Sequence, residues 1–490
     1  MYLDAAGDPL IGAPMSALLG AQAARDPDRV ALVLPDETLS RIDLERRTNQ
    51  CARQLAALGI GRNDKVLFAL PNGARFYEVI FGIWKLGATP VHVSNKLTPR
   101  EFSEVAALAE PKLVIDGDFA GLDRSLDDSP LPYLVSDNWR IATSGGSTGR
   151  PKLIVDPTPA LWSAPRRSTR RRPGATIVNP APLYHAAPFG LMLSALFAGC
   201  KIVEMGRFDA ERYLALVEEH KADWAYLVPT MMGRILNLPP EIRAQYDIGS
   251  LETLLHMAAA CPDWVKRGWI DWLGPDAIWE VYGGTERLGS TIIGGTEWLA
   301  HPGSVGRPRP GMDMCIFDDD GNAVGPDVVG EIYFRQAEGP ASTFQYVGAD
   351  ARLNGDWASF GDMGSIDADG FLYLADRRTD MIVSGGVNVF PAEIEGQIDG
   401  LAGVVDSVVV GVPDDDFGHL PHAFVHQDAR GGWTEATMLA ELRDRLAPFK
   451  RPRGISFTDE PIRDAAGKVR RSAWRDKAEA SRREDVSPTA

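Results

Sequence analysis

The segment at residues 142–152 concentrates side chains that can hold a phosphate chain. It reads Ala-Thr-Ser-Gly-Gly-Ser-Thr-Gly-Arg-Pro-Lys. Its glycines leave backbone N–H groups open to close approach, its hydroxyls donate hydrogen bonds, and its lysine adds a positive charge. The spacing is not that of a P-loop NTPase, because Gly149 is followed by Arg-Pro rather than Lys-Ser/Thr. The candidate phosphate-binding residues are Thr143, Ser144, Gly145, Gly146, Ser147, Thr148, Gly149 and Lys152.

The sequence around this segment alternates short apolar runs with amphipathic stretches. Strands are predicted at 66–70, 89–93, 113–115, 201–203, 225–228, 254–257 and 278–281. Ser40 is predicted to cap a helix that ends at Gly59, and Asn72 to cap a helix that ends at Gly87. Strands that alternate with helices indicate parallel sheets covered on both faces, so we predict an α/β fold with doubly wound sheets.

The residue pattern of the chain changes after about residue 300, where turn-forming residues dominate. Residues 329–334 predict a strand of a smaller β unit. An α+β set follows, with strands predicted at 404–412 and 455–457 and a helix that carries Met438 and Leu442 on one face. From Asp476 the sequence is polar and predicts a frayed tail.

Composition limits the function classes. The chain has 490 residues, 44% hydrophobic and 24% charged, with a net charge of −16, which argues against a general binder of nucleic acid. A run of arginines at 166–172 is the exception, and we favour a solvated surface over a positive rim for an anionic substrate. Four scattered cysteines fit no metal spacing and indicate a reducing, cytoplasmic setting. No signal peptide or membrane span is expected, since the uncharged stretch 181–200 contains proline and histidine.

Four further motifs follow the glycine-rich segment in order. They are Tyr-Gly-Gly-Thr-Glu at 282–286, Gly-Asp at 361–362, Asp-Arg at 376–377 with Gly-Gly at 385–386, and Gly-Lys-Val-Arg at 467–470. Together the five resemble the adenylate-forming (AMP-binding) superfamily of acyl-CoA synthetases, adenylation domains and luciferases, over nearly the whole chain. The resemblance implies an ATP-dependent acid–thiol ligase that forms an acyl-adenylate and then a CoA thioester. Its cofactors would be ATP, Mg²⁺ and coenzyme A.

The resemblance also implies a role for each motif. The glycine-rich loop would grip the β and γ phosphates, and Tyr282, Gly283 and Gly284 would lie against adenine. Thr285 would bond the α-phosphate and Glu286 would hold Mg²⁺, while Asp362 and Arg377 would bind ribose. Lys468 would neutralise charge during attack on the α-phosphate, and Gly385 and Gly386 would line the thiol's approach. His185 would gate the acyl carboxylate, although an interior histidine with satisfied nitrogens fits its apolar neighbours equally well.

The same resemblance divides the chain into an N-terminal domain (1–376), a hinge (377–380), a mobile α+β C-terminal domain (381–475) and a tail (476–490). Four positions depart from the family pattern: Gly145 for a common Ser, Leu153 for Gly, Phe360 for Thr, and Thr379 for the usual hinge Asp or Lys. None removes a core catalytic group. The loop variant resembles that of ligases acting on bulky acids, including bile-acid and steroid types.

The leading hypothesis is therefore an acyl-CoA ligase for a bulky, mostly apolar acid, ring-bearing or steroid-like. Its partners would be the small-molecule carboxylic acid, ATP and CoA, and a homodimer is allowed for. The alternative is a stand-alone adenylation enzyme that loads a carrier protein. A non-catalytic homologue is disfavoured, because Thr285, Glu286, Asp362, Arg377 and Lys468 are all present.

Overall fold

The computed structural model describes residues 2–117, 121–145, 151–163, 170–339, 342–377, 380–384, 387–414, 417–464 and 467–486. Several sequence predictions lie outside these ranges, namely those for Gly146, Ser147, Thr148, Gly149, Gly385, Gly386 and the hinge residues Arg378 and Thr379. For Ser144, Gly145 and Arg377 only the backbone is described.

The described α-helices are distributed along the whole chain. In order they are α1 (Met15–Arg25), α2 (Arg41–Ala57), α3 (Ala74–Lys85), α4 (Pro99–Ala109), α5 (Ala186–Phe197), α6 (Ala210–His220), α7 (Pro229–Leu236), α8 (Pro240–Arg243), α9 (Asp263–Leu273), α10 (Gly295–Ala300), α11 (Pro391–Asp399), α12 (Glu435–Arg445) and α13 (Arg471–Val486). Two short 3₁₀ turns lie at Pro275–Ala277 and Pro448–Lys450.

The strands are mostly short. In order they are β1 (Val30–Val33), β2 (Thr38–Ser40), β3 (Lys65–Phe68), β4 (Thr89–His92), β5 (Leu113–Ile115), β6 (Ile141–Gly145), β7 (Pro151–Val155), β8 (Thr176–Asn179), β9 (Lys201–Glu204), β10 (Trp224–Leu227), β11 (Thr253–His256), β12 (Ile278–Gly283), β13 (Ser290–Gly294), β14 (Ser304–Pro308), β15 (Asp313–Phe317), β16 (Gly330–Arg335), β17 (Gln345–Val347), β18 (Arg352–Asn354), β19 (Trp357–Ile366), β20 (Leu372–Arg377), β21 (Ile382–Ser384), β22 (Val387–Val389), β23 (Val404–Asp414), β24 (Gly418–Gln427) and β25 (Gly454–Phe457).

Two sheets form the N-terminal part of the molecule, and both have parallel centres. In the larger one, β1, β9, β8, β10, β11 and β12 pair in parallel. In the smaller one, β5, β3, β4 and β6 pair in parallel and β7 joins antiparallel. The buried residues between these layers form the main apolar core, in which helices α3 and α5 are almost completely enclosed. The predicted α/β class with doubly wound sheets is confirmed.

The β unit after residue 300 is not a detached layer. Strand β13 pairs with β14, which pairs with β20, so that β14–β16 and β18–β20 continue the large sheet antiparallel. Strand β17 leaves this unit and pairs with β7 at the edge of the smaller sheet. The chain after residue 300 thereby connects the two sheets at the strands that flank the glycine-rich loop.

The C-terminal residues build their own core. Strands β21–β25 form a sheet in which β23 and β24 pair over their full length. Buried residues from Ile382 to Ile455 fill one face of this sheet, under α11 and α12. Helix α13 covers the other face with Trp474 and Ala478.

Two local predictions were wrong. The polar residues from Asp476 continue helix α13 to Val486 instead of fraying, because Ala478 is buried against β23 and β24. Asn72 does not cap helix α3, whose N-cap is Gly73. Its amide is used elsewhere, donating to Ala181 O and Glu204 Oε2 and accepting from Leu183 N, so it ties α3 to the ends of β8 and β9.

The cap at Ser40 is confirmed, because its hydroxyl and the Asp43 carboxylate form a reciprocal capping box at the start of α2. The described helices include none with the length and apolar character needed to cross a membrane.

Candidate active site

The described ends of the glycine-rich segment are held on adjacent strands. Strands β6 and β7 pair antiparallel, and Ser144 lies opposite Lys152. Tyr346, on β17, pairs with Ile154. The Lys152 ammonium lies 3.8 Å from the centre of the Tyr346 ring. The aromatic face thereby holds the lysine beside the strand end from which the loop departs.

Glu286 shares these partners. Its Oε1 accepts a 2.6 Å hydrogen bond from the Tyr346 hydroxyl and lies 3.6 Å from Lys152 Nζ. The residue is only 8% exposed. Lys152 and Glu286, which sequence reasoning assigned to phosphate and Mg²⁺, are therefore brought together.

Glu286 lies in a turn that is fixed from both sides. Arg287 N donates to Gly284 O at 3.1 Å, and Arg287 has a positive φ of 58°. Its guanidinium Nη1 lies 2.7 Å from Asp156 Oδ2. Its carbonyl accepts a 2.7 Å hydrogen bond from Gln336. A non-glycine residue is held in the left-handed region only where its surroundings over-determine it, and here three contacts do so.

Asp156 is the buried end of that contact. It is 3% exposed and accepts hydrogen bonds from the Thr158 hydroxyl and the Trp139 indole as well as from Arg287. Burial alone would raise the pKa of Asp156, but the Arg287 and Arg140 guanidinium groups and these hydrogen bonds lower it. Asp156 therefore stays ionised and links the end of β7 to the turn that carries Thr285 and Glu286.

Two residues that are predicted to hold the nucleoside, Tyr282 on β12 and Asp362 on β19, contact each other. The Tyr282 hydroxyl donates to Asp362 Oδ2 at 2.7 Å. Asp362 lies opposite Arg377 in the β19–β20 pair, so the two residues predicted to bind ribose are adjacent. Phe360 stacks edge-on against Tyr282 and lies so close to Gly284 that any Cβ there would collide with its ring. The departure at Phe360 thus makes Gly284 sterically necessary.

Lys468 lies in a turn of the C-terminal part that touches the N-terminal part. Asp464 N donates to Lys468 O at 2.8 Å, and Lys468 N donates to the Asp464 side-chain Oδ1 at 2.9 Å, which closes the turn. The lysine side chain is exposed. A Cβ placed on Gly467 would lie 3.2 Å from Thr230 Oγ1, so the turn packs on the start of α7. Arg470 forms a 3.0 Å ion pair with Glu101 on α4.

His185 faces this turn. Burial lowers the pKa of His185 to about 4, and the charges of Asp464 and Lys468 act on it in opposite directions. Its imidazole is therefore neutral at pH 7. Its Nε2 atom is buried and has no hydrogen-bond partner among the described residues. The gating role of His185 stays a prediction.

Aromatic and basic side chains from other elements pack around Phe189 on helix α5, which starts after His185. Phe189 is fully buried and stacks on His92 at 3.9 Å. Arg140 is 5% exposed and lies 5.9 Å from the Phe189 ring. Phe189 is thus covered by other residues. A Cβ on Gly190 would meet nothing within 4 Å, so open space lies there.

The basic run is used structurally where it is described. Arg170 lies over Trp279 at 3.6 Å, Arg171 lies near Trp224 and Ser194, and Arg172 pairs with Asp223. These three side chains are held on the N-terminal sheet.

Sequence reasoning missed Asp156, Arg287, Tyr346 and Arg140. Tyr346 lies 60 residues from its partner Glu286, and Asp156 lies 131 residues from its partner Arg287. Arg287 directly follows the Tyr-Gly-Gly-Thr-Glu motif, but its contacts with Asp156 and Gln336 depend on the fold. The positive φ of Arg287 could not be predicted, because glycine and not arginine is the residue that indicates a left-handed backbone.

The described residues contain no group of three or more His, Cys, Asp or Glu side chains that could hold a metal by themselves. Glu286 is a single carboxylate. Mg²⁺ commonly uses one or two carboxylates together with substrate phosphates and waters, so this donor set fits a metal that arrives with a nucleotide.

Most of the chain matches a known protein family. Residues 19–143 and 136–343 match the AMP-binding enzyme family, and residues 393–468 match the AMP-binding enzyme C-terminal domain. The chain is 30% identical to a feruloyl-CoA synthase of Amycolatopsis sp. over 91% of its length and 96% of that enzyme. It is 28% identical to the fatty acid–[acyl-carrier-protein] ligase ScoC of Streptomyces coeruleorubidus, over 92% and 94%.

Among solved structures, the anthranilate CoA ligase AuaEII in complex with anthranoyl-AMP superposes with a TM-score of 0.82 at 22% identity. The match covers 98% of this chain and 100% of that one, and supports the fold. The family matches cover most of the chain, in the order in which its motifs occur. The chain therefore belongs to the AMP-binding enzyme family, in its acyl-CoA synthetase branch of acid–thiol ligases.

Proposed function

We propose that the protein activates a bulky, mostly apolar carboxylic acid with ATP and transfers the acyl group to coenzyme A. In the first step a carboxylate oxygen bonds to the α-phosphorus and pyrophosphate leaves. In the second step the CoA thiolate attacks the acyl carbonyl and AMP leaves with that carboxylate oxygen. Both steps involve highly anionic reactants, so catalysis depends on positioning and charge neutralisation.

The proposed roles fall into two groups, one for the residues that bind the nucleotide and one for those that contact the acyl carboxylate and the thiol. On one side, Lys152 and the preceding loop hold the β and γ phosphates, Thr285 bonds the α-phosphate, and Glu286 binds Mg²⁺. When bound, Mg²⁺ would supply positive charge that offsets the negative charge of the phosphates. Beside them Tyr282, Gly283 and Gly284 lie along adenine, and Asp362 and Arg377 bind ribose.

On the other side, Lys468 meets the carboxylate and α-phosphate oxygens, and the neutral His185 ring lies beside the acyl carboxylate. Gly385 and Gly386 are proposed to line the thiol's path. The domain division at 377–380, with a C-terminal domain that rotates between the steps, is part of the same proposal.

One observation carries the proposal. The Lys468 turn packs on Thr230 and lies within electrostatic reach of His185, while Arg470 pairs with Glu101. A lysine on a separate core has no structural need to dock at this place. Its position supports an orientation of the C-terminal part suited to adenylate formation.

The proposal is tested by separating the half-reactions. Pyrophosphate release is measured with ATP and a panel of acids, and AMP release is measured after CoA is added. We expect acid-dependent pyrophosphate release followed by CoA-dependent AMP release. ATP hydrolysis that is independent of any acid would overturn the ligase assignment.

The acid is proposed to be ring-bearing or steroid-like. The open space beside Gly190 and the small residues near it leave room for a large group. The similarity to a feruloyl-CoA synthase, which is named for a ring-bearing acid, supports the same class. Specificity constants for acetate, octanoate, an aromatic acid and a steroid acid test this choice. A tenfold preference for acetate, about 1.4 kcal/mol in the transition state, would contradict it.

A carrier-protein acceptor is the second candidate, and the similarity to ScoC favours it. The same pyrophosphate assay then gives acyl-adenylate, but AMP release follows addition of a phosphopantetheinylated carrier and not of CoA. Comparing the two acceptors at equal concentration separates the candidates without altering the first step.

A further inference from the structure

A polar cleft lies on the N-terminal part, away from every residue proposed for the reaction. It is bounded by the end of α1, the start of α2 and the backbone near residues 173 and 198, and its volume is about 280 Å³. Three arginines line it: Arg25, Arg29 and Arg41. A cleft of this size admits several waters or one small polar ligand.

Each guanidinium is held by backbone carbonyls. Arg25 donates to Ala5 O at 3.0 Å, Arg29 to Gly174 O at 2.7 Å, and Arg41 to Gly199 O at 2.5 Å. Carbonyl acceptors fix the geometry of a guanidinium but do not neutralise its charge. The three positive charges are therefore placed by the backbone.

The approach of Arg41 is unusually close. Gly199 has a φ of 68°, and a Cβ there would lie 2.5 Å from Arg41 Nη2, so a side chain at this position would displace the guanidinium. Arg41 is 5% exposed, and its Nε atom is buried without a hydrogen-bond partner among the described residues. An unpaired buried N–H of a charged group is costly, so the described residues leave the Arg41 charge incompletely compensated.

The charges around the cleft do not balance. Among the described residues that line it, Asp26 alone carries a carboxylate, against three guanidinium groups. Burial lowers the pKa of Arg41, and the charges of Arg29 and Arg25 lower it further. Mutual repulsion of this kind is relieved by a bound anion.

We propose that this cleft binds a small phosphoryl anion of the size of phosphate or pyrophosphate. Guanidinium groups match phosphoryl oxygens with paired N–H donors, and the net positive lining suits a multiply charged ligand. The volume of about 280 Å³ lies at the lower end of the sizes of ligand pockets, so it suits a small anion. None of the residues that line this cleft is among those proposed to bind the phosphates of ATP.

Equilibrium dialysis of the full chain with labelled pyrophosphate tests the proposal. We expect Arg29→Gln and Arg41→Gln each to weaken one binding site by roughly tenfold or more, since each removes a charged donor. Arg46→Gln, an exposed arginine on α2, is the matched control and should bind as the wild type does. Lys152→Ala should weaken pyrophosphate binding at the reaction site and leave this site intact.

Arg41 is buried, so its variant also needs a melting curve, whereas Arg29 is exposed and its variant keeps the test valid if Arg41→Gln unfolds. Arg29→Gln should also retain acid-dependent pyrophosphate release. Unchanged pyrophosphate binding in Arg29→Gln would overturn the proposal. Equal displacement of pyrophosphate by citrate would overturn the phosphoryl assignment, because a carboxylate ligand would then fit as well.

Discussion

Glu286 and Lys468 are both proposed to act on the phosphates of ATP, yet the chain holds them in different ways. Glu286 is buried and fixed by Tyr346, Lys152 and a turn that the Asp156–Arg287 pair locks. Lys468 is exposed, and its turn touches the N-terminal part through Gly467 and one surface ion pair. The residues around Glu286 are therefore fixed by the N-terminal part alone, whereas the position of the Lys468 side chain depends on where the C-terminal part lies.

Removing the lysine should have the largest effect and should be confined to one step. We expect Lys468→Ala to slow adenylate formation by about 10²–10³-fold, the usual loss for one electrostatic partner of a developing charge. Thioester formation from supplied acyl-adenylate should continue. Lys477→Ala, an exposed lysine paired with Glu460, is the control. Equal losses in both steps would remove the assignment of Lys468.

Removing the ion pair between Asp156 and Arg287 should destabilise the folded protein. Asp156→Asn leaves Arg287 and Arg140 without their buried counter-charge, so we expect the free energy of unfolding to fall by about 3 kcal/mol. Asp313→Asn, at an exposed pair with Arg335, should change it by less than about 1 kcal/mol. Urea unfolding of both variants makes the comparison.

The same carboxylate gives a pH dependence. The pKa of Asp156 is lowered in the folded protein, so its stabilising contribution is present above the ordinary aspartate pKa. That contribution is lost as the pH falls through the folded-state value. Wild-type stability should therefore fall in acid more steeply than that of Asp156→Asn. Parallel curves for the two proteins would contradict the buried ion pair.

Tyr346→Phe should sharpen the comparison by loosening Glu286 alone. It removes a hydrogen bond to a carboxylate, and such bonds contribute about 1.5–3 kcal/mol, so we expect roughly a tenfold higher Mg²⁺ requirement for pyrophosphate release. Tyr246→Phe removes a similar Tyr–Glu bond on the surface, to Glu211, and should leave the Mg²⁺ requirement unchanged. A shift in both variants would point to a general effect on stability.

The smallest effect is expected at the surface contact of the Lys468 turn. Glu101→Gln breaks the pair with Arg470 but keeps a glutamine suited to the capping box of α4. Exposed pairs contribute less than about 1 kcal/mol, so pyrophosphate release should slow by about fivefold at most. Glu104→Gln, on the same helix and paired with Arg100, is the control. A larger loss would mean that this pair fixes the orientation by itself.

The sequence predicted those parts of the site that belong to contiguous motifs. The strands and the Ser40 cap follow from local pattern. The resemblance implied a shared ribose role for Asp362 and Arg377, and the structure places these two positions opposite each other. Tyr346 and Asp156 could not be predicted, because their partners are 60 and 131 residues away and only the fold brings them together. Asn72 was misassigned for a related reason, since a distant carboxylate, Glu204, uses the amide that local preference gave to a cap.

Transfer of labelled oxygen tests the central claim most directly. The acid is supplied with ¹⁸O in both carboxylate oxygens, together with ATP and CoA, and the products are analysed by mass spectrometry. If the carboxylate attacks the α-phosphorus, each AMP carries one ¹⁸O atom for each acyl-CoA formed, and pyrophosphate carries none. AMP without label, or label in pyrophosphate or inorganic phosphate, would contradict an acyl-adenylate intermediate.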